Sequence, residues 1–312
     1  MNLNSLQGVF GVQNTGFGSA VLNLNTVRGV FMCPPTYSIA DASLPTLLTQ
    51  LKADATTDDP TVRIRPLHNL VAVKMTSEEL VVEKLGYGAG VPVREGFEDW
   101  AHRFTKGGFS LLQALRSMNG LQYNPIFYDA QGIVFGWNNG GVMAGIPNQF
   151  FWASSIPVSD GSKYAEYIIR NNFDTRYLQD FMCWYQVPKG TDLTQATGFQ
   201  TVNLTLVSGP TAGVAVVQLA TAIGNINPYT QFKTALTTNA SWVALNSSNT
   251  TIPVASVVGN DLTKQFTITF TTTAPPYPTT GNTFTLNLAA PSVLKTNNMP
   301  GYESGGALTL TV

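Results

Sequence analysis

From residue 198 onward, apolar and polar positions alternate in short runs. V-N-L-T-L-V (202–207), V-A-V-V-Q-L (214–219), S-W-V-A-L (241–245), F-T-I-T-F (266–270), F-T-L-N-L (284–288) and A-L-T-L-T-V (307–312) each show a period of two or a continuous apolar run. A period of two sends successive side chains to opposite faces of a strand. The turn signals S-G-P, G-N-I-N-P, V-G-N-D, A-P-P-Y-P and T-T-G-N separate these runs. This spacing predicts a β-sandwich over 198–312, immunoglobulin-like and without a disulfide, with Trp242 as its core aromatic.

Residues 1–190 mix two periods. T-V-R-G-V-F-M (26–32), L-V-A-V-K-M (70–75), E-L-V-V-E-K-L (79–85), Q-F-F-W-A-S-S-I (149–156) and Y-A-E-Y-I-I-R (164–170) read as strands. N-P-I-F-Y-D-A-Q-G-I-V-F-G-W (124–137) reads as a hairpin turning at D-A-Q-G. In 43–55 the leucines 44, 47, 48 and 51 fall at helical spacing, with Ser43 as N-cap and Pro45 in the first turn. The second helix, 107–119, lines up Leu111, Leu112, Leu115 and Met118 and stops at Asn119-Gly120. The expected class is mainly β: an N-terminal β-barrel or sandwich with one packed helix, then the C-terminal sandwich. The polar segment P-K-G-T-D-L-T-Q-A-T-G (188–198) reads as the linker between them.

Composition sharpens this picture. Charged residues make up 11% and hydrophobic ones 44%, which excludes a disordered chain, and 28 Gly with 18 Pro imply many turns. Beyond residue 198 the charged residues are Lys233, Asp261, Lys264, Lys295 and Glu303 alone. So little charge suggests a β-rich subunit with much surface buried against other subunits. The net charge is −1 and no Lys/Arg block exists, so sequence-specific nucleic-acid binding is not expected. No stretch approaches the ~20 apolar residues of a membrane span. The opening M-N-L-N-S-L-Q-G lacks the features of a signal peptide, so synthesis and folding in the cytoplasm are expected.

Candidate chemistry is sparse. His68 and His102 are the only histidine bases, and no G-x-S-x-G elbow accompanies them. The simpler reading of each is a hydrogen-bonded histidine in a sheet or interface. Cys33 and Cys183 are read as reduced, buried thiols, and two cysteines with two histidines do not supply zinc spacing, so no metal or cofactor is expected. Glu98 and Asp99, adjacent on a strand, would point to opposite faces and form no carboxylate pair. G-Y-G-A-G (86–90) lacks the spacing of a phosphate loop and leads into extended P-V-R-E-G; it reads as a bend that lets strands pass closely. Trp137, Phe150, Phe151, Trp152 and Trp184 suit sugar stacking, but such rings more often pack cores or interfaces.

L-G-Y-G-A-G-V-P-V-R-E-G (85–96), an aromatic strand, G-G-F-S-L-L-Q-A-L-R-S-M-N-G (107–120), P-I-F-Y-D-A-Q-G-I-V-F-G (125–136) and S-D-G-S-K-Y-A-E-Y-I-I-R (159–170) follow in that order. This succession resembles the core of tailed-bacteriophage structural proteins, more narrowly tail tube or major tail proteins, over residues 80–185. The resemblance implies a non-enzymatic virion subunit, a small β-barrel flanked by a helix. Such subunits form rings, usually hexameric, that stack into a conduit for DNA, with extended arms bridging neighbours. It places Gly86, Tyr87, Gly88, Arg94 and Glu95 at a subunit interface, with Arg94 and Glu95 paired across it. Near-neutral charge fits a conduit that must not grip the phosphates of passing DNA. The implied partners are copies of the chain, other virion proteins and, weakly, host-surface carbohydrate through an outward C-terminal domain. The implied location is the virion, with host cytoplasm during assembly. The alternative is another virion component: a capsid decoration, a head or baseplate protein, or a host-surface adhesin.

Overall fold

The alternating runs become strands, and the chain is mainly β. The computed structural model describes residues 4–5, 27–77, 81–84, 90–94, 96–104, 108–154, 167–174, 177, 182–211, 213–271 and 281–312. Two compact units emerge: Met1–Ala55 with Asp59–Gly198, and Phe199–Val312 with Thr56–Asp58.

The first unit holds strands β1 (Asn4–Ser5), β2 (Val27–Cys33), β3 (Ser38–Ala40), β4 (Arg65–His68), β5 (Ala72–Ser77), β6 (Val81–Lys84) and β7 (Gly90–Arg94). They are followed by β8 (Phe97–Phe104), β9 (Asn124–Asp129), β10 (Ile133–Asn139), β11 (Val142–Ala144), β12 (Asn148–Ala153), β13 (Tyr167–Asp174) and β14 (Met182–Gln186). Its helices are α1 (Leu47–Ala55) and α2 (Gly108–Arg116). A large sheet runs β1-β14-β10-β9-β2-β4, with β11 joined to β10 and β3 to β11. A smaller sheet runs β12-β13-β8-β5, and β6 pairs with β7 in a ribbon of their own.

Every residue of β9 is buried, because the large sheet is covered on both faces. Period two divides its side chains between two cores. Val30, Met32, Phe127, Phe135 and Met182 face the small sheet, where Trp100, Phe151, Ile169 and Phe173 meet them. Phe31, Cys33, Ile126, Tyr128, Val134 and Cys183 face the other way, onto Leu44, Leu47 and Leu51. Each fully buried ring or aliphatic side chain contributes about 1.5–3 kcal/mol. The turn between β9 and β10 is closed by Asp129, whose Oδ1 accepts from the amides of Gln131 and Ile133 at 2.8 Å, while Gly132 takes φ +83°. Helix α2 ends at Arg116, earlier than the expected stop at Asn119-Gly120; a turn over 117–120 follows, with Gly120 at φ +80°.

Two expectations need correction. Ser43 is not a helix cap: a 3-10 turn over Asp41–Thr46, containing Pro45, leads into α1 and has no side-chain cap. The segment 188–198 is not a free linker. Leu193 and Ala196 are buried with Val187 in the outer core of the first unit, and Asp192 caps a 3-10 turn at Leu193–Gln195. Its polar residues face outward while those two apolar side chains anchor it.

In the second unit, strands β15 (Gln200–Thr211), β16 (Val214–Thr221), β17 (Trp242–Asn246), β18 (Thr251–Ile252), β19 (Val254–Asn260), β20 (Gln265–Phe270), β21 (Thr283–Leu288), β22 (Tyr302–Ser304) and β23 (Leu308–Thr311) form two sheets. Their orders are β19-β20-β16-β15-β22 and β18-β17-β21-β23. One core lies between them, from Val217, Phe266, Ile268 and Phe270 on one side to Trp242, Phe284, Leu286 and Leu310 on the other. Helices α3 (Tyr229–Leu236) and α4 (Pro291–Thr296), absent from the strand pattern, add Tyr229, Leu236 and Leu294 to it. The result is a two-sheet β-sandwich, with β15 and β22 paired in parallel.

Candidate functional site

The glycine-rich segment lies within one long excursion of the chain. β5 and β8 pair antiparallel from Ala72↔Arg103 out to Ser77↔Glu98. β6 and β7 then pair from Val81↔Arg94 to Lys84↔Gly90, with an irregularity between Val81 and Val82. The chain therefore leaves along β5 and β6 and returns along β7 and β8. Among the described residues the distal ribbon joins neither sheet. A two-stranded ribbon has two outer edges, and among the described residues one side of β7 faces no partner strand, where Pro92 is tolerated. Arg94 is on this ribbon, opposite Val81. Gly86, Tyr87, Gly88 and Glu95 lie outside the described residues. A strand, β7, and not a helix begins at Gly90, so no helix N-terminus follows the glycines.

The two histidines have different fates. The Nε2 of His68 is 2.8 Å from the carbonyl of Ala196, and its Nδ1 is 2.6 Å from the hydroxyl of Tyr128. A carbonyl only accepts, so Nε2 carries the proton and Nδ1 accepts from Tyr128. Both nitrogens are engaged, and burial lowers the pKa of His68. Burial and the nearby Asp192 raise that of Tyr128. His102, expected to be hydrogen-bonded, is not. It is fully buried beside Trp100 and Phe127, and neither ring nitrogen has a hydrogen-bond partner. Desolvation pushes its pKa down to about 3.

Tyr128 also lines a cleft of about 290 Å³ with Arg28, Asn69, Asp129 and Asp192. Local spacing gave no sign of it, because His68 is 60 residues from Tyr128 and 128 from Ala196. Two carboxylates across a cleft raise the question of glycoside hydrolysis, which needs one of them held protonated. Asp129 spends Oδ1 on its turn amides. Asp192 accepts from the hydroxyl and amide of Thr194, which hold its pKa below the usual carboxylate value. That shift is the wrong direction for the acid.

The chain matches no family model and no curated protein.

Trp100 Nε1 donates to Glu98 at 3.3 Å, whereas Asp99 pairs with Arg170 at 2.7 Å, so the two acids do serve different faces of β8. Cys33 and Cys183 are free and buried. Burial pushes both thiols up, that of Cys183 to about 12. No cluster of His, Cys, Asp or Glu suited to a metal occurs among the described residues. Phe151 is fully buried, and Trp137 and Trp184 pack against the inner core. Phe150 and Trp152 instead stand on the outer face of β12, 44% and 52% exposed.

Proposed function

We propose that this chain is a structural protein of a tailed-bacteriophage virion, whose copies assemble into stacked rings, hexameric by resemblance, forming the tail tube through which DNA passes. The observation that carries this reading is the β6–β7 ribbon. A ribbon that, among the described residues, belongs to neither sheet offers main-chain donors and acceptors along its edges, and such edges pair with strands of another chain. Its place between β5 and β8 anchors it in the small sheet, so a load on the ribbon passes straight into the core strands.

The low charge supports the same reading, since a conduit that bound phosphates would hold its cargo. A decoration protein or adhesin is the second reading, favoured by the exposed pair Phe150 and Trp152, because such a surface suits a flat partner or a sugar ring. Light scattering with negative-stain microscopy on the purified chain separates the two. Rings or tubes with a central hole are the expected result. A compact trimer would move the assignment to a decoration or adhesin.

A further inference from the structure

Away from the ribbon and from the Tyr128 cleft, the first unit carries a second cavity, of about 310 Å³. We propose that it binds a small organic oxyanion, a phosphate or carboxylate carried on an apolar or aromatic body. Nothing in this inference depends on ring assembly.

Its floor is cationic. The Arg65 guanidinium lies over the Tyr123 ring, 5.6 Å from the centroid, and Tyr123 is itself only 8% exposed. This cation–π contact leaves the N–H groups of Arg65 as a donor fork, the chemistry that takes an oxyanion in a bidentate manner. Arg63 also lines the cavity, and among the described residues no carboxylate does.

The walls are apolar and stiff. Pro34, Pro35 and Pro60 line the cavity, and Leu121, 50% exposed, forms its lip. Proline has no amide proton and a fixed φ, so these walls offer an incoming anion little competition and lose little freedom when a ligand arrives. A bare ion would use only the floor; an anion with an apolar body uses floor and walls together. The volume sits at the small end of ligand pockets, which sets the size to a single ring or a short chain.

The test is calorimetric titration of the full chain with phenyl phosphate and with inorganic phosphate. Phenyl phosphate should bind at least about tenfold tighter, because only it buries apolar surface. Arg65→Gln should weaken phenyl phosphate by about tenfold, and Arg65→Lys should not restore it, since a point charge lacks the fork. Leu121→Ser should bring phenyl phosphate towards inorganic phosphate. Arg65 and Leu121 are exposed, and an unchanged melting temperature shows that the variants remain folded. Equal affinity for the two probes overturns the proposal, as does unchanged phenyl phosphate binding in Arg65→Gln.

Discussion

The rings of His102 and Phe127 lie with centroids 5.1 Å apart, and the buried imidazole also meets the ring of Trp100. Its nitrogens find no partner there. An unpaired buried polar group costs free energy, so His102 lowers the stability of the fold.

The pH consequence has a definite sign. Folded His102 has its pKa lowered to about 3 against 6.5 for the free side chain. Above pH 6.5 both folded and unfolded chains hold it neutral. As pH falls from 6.5 toward 3, the unfolded chain takes up a proton that the folded chain refuses, and stability is lost at about 1.4 kcal/mol per pH unit. Chemical denaturation at several pH values should show this loss. His102→Leu should abolish that component and raise stability at pH 7.5 by about 1–3 kcal/mol, the cost of the unpaired nitrogens. A pH slope unchanged in His102→Leu would mean that other groups cause it.

The ribbon permits a separation of folding from assembly. Replacing residues 82–93 by two glycines removes main-chain pairing that β5 and β8 do not share. The expected outcome is a circular dichroism spectrum that keeps its β signature and a cooperative melt, with no rings or tubes in negative stain. Rings formed by the deletion variant would remove the ribbon from the assembly contact.

In the second unit, Trp242 Nε1 donates to the carbonyl of Leu236 at 2.7 Å, tying β17 to the end of α3. Trp242→Phe keeps most of the ring but leaves a buried carbonyl unpaired, and should cost about 1–3 kcal/mol in urea denaturation. Trp242→Ala adds a cavity and should cost about 3–5 kcal/mol. Equal losses for the two would show that the hydrogen bond contributes everything and the ring nothing.

Gly145 meets the Asn124 carbonyl so closely that a Cβ would overlap it. Backbone cannot rotate aside as a side chain does, and Asn124 Oδ1 also accepts from the amide of Asn148. Gly145→Ala should therefore cost about 1–3 kcal/mol, read as a lower urea midpoint, whereas Gly140→Ser, with open space around the added atoms, should be limited to the strain of its φ of +65°.

The thiols offer a quick check of the packing. Cys33 and Cys183 are both fully buried with raised pKa values, so a thiol reagent should leave them unmodified in the native chain and titrate both after denaturation.

Individual elements were legible from local spacing. The β9–β10 hairpin follows from Asp129 and Gly132, helix α2 from leucines at helical spacing ahead of Gly120, and the main strands of the second unit from strict alternation. Each depends on residues within a few positions, where geometry fixes which side chains share a face. Tertiary structure alone decided which core each face would meet. Alternation shows that Phe127 and Tyr128 point apart, but only the stacking of the small sheet on one side and α1 on the other sends one ring to Trp100 and the other to His68. It also decided that Ala196, in a segment polar enough to pass for a linker, would accept the proton of His68, and that Arg65 would stack on Tyr123. Such pairings join strands and loops far apart in sequence. Their energy comes from burial and hydrogen bonding after the chain closes, and local spacing carries no record of them.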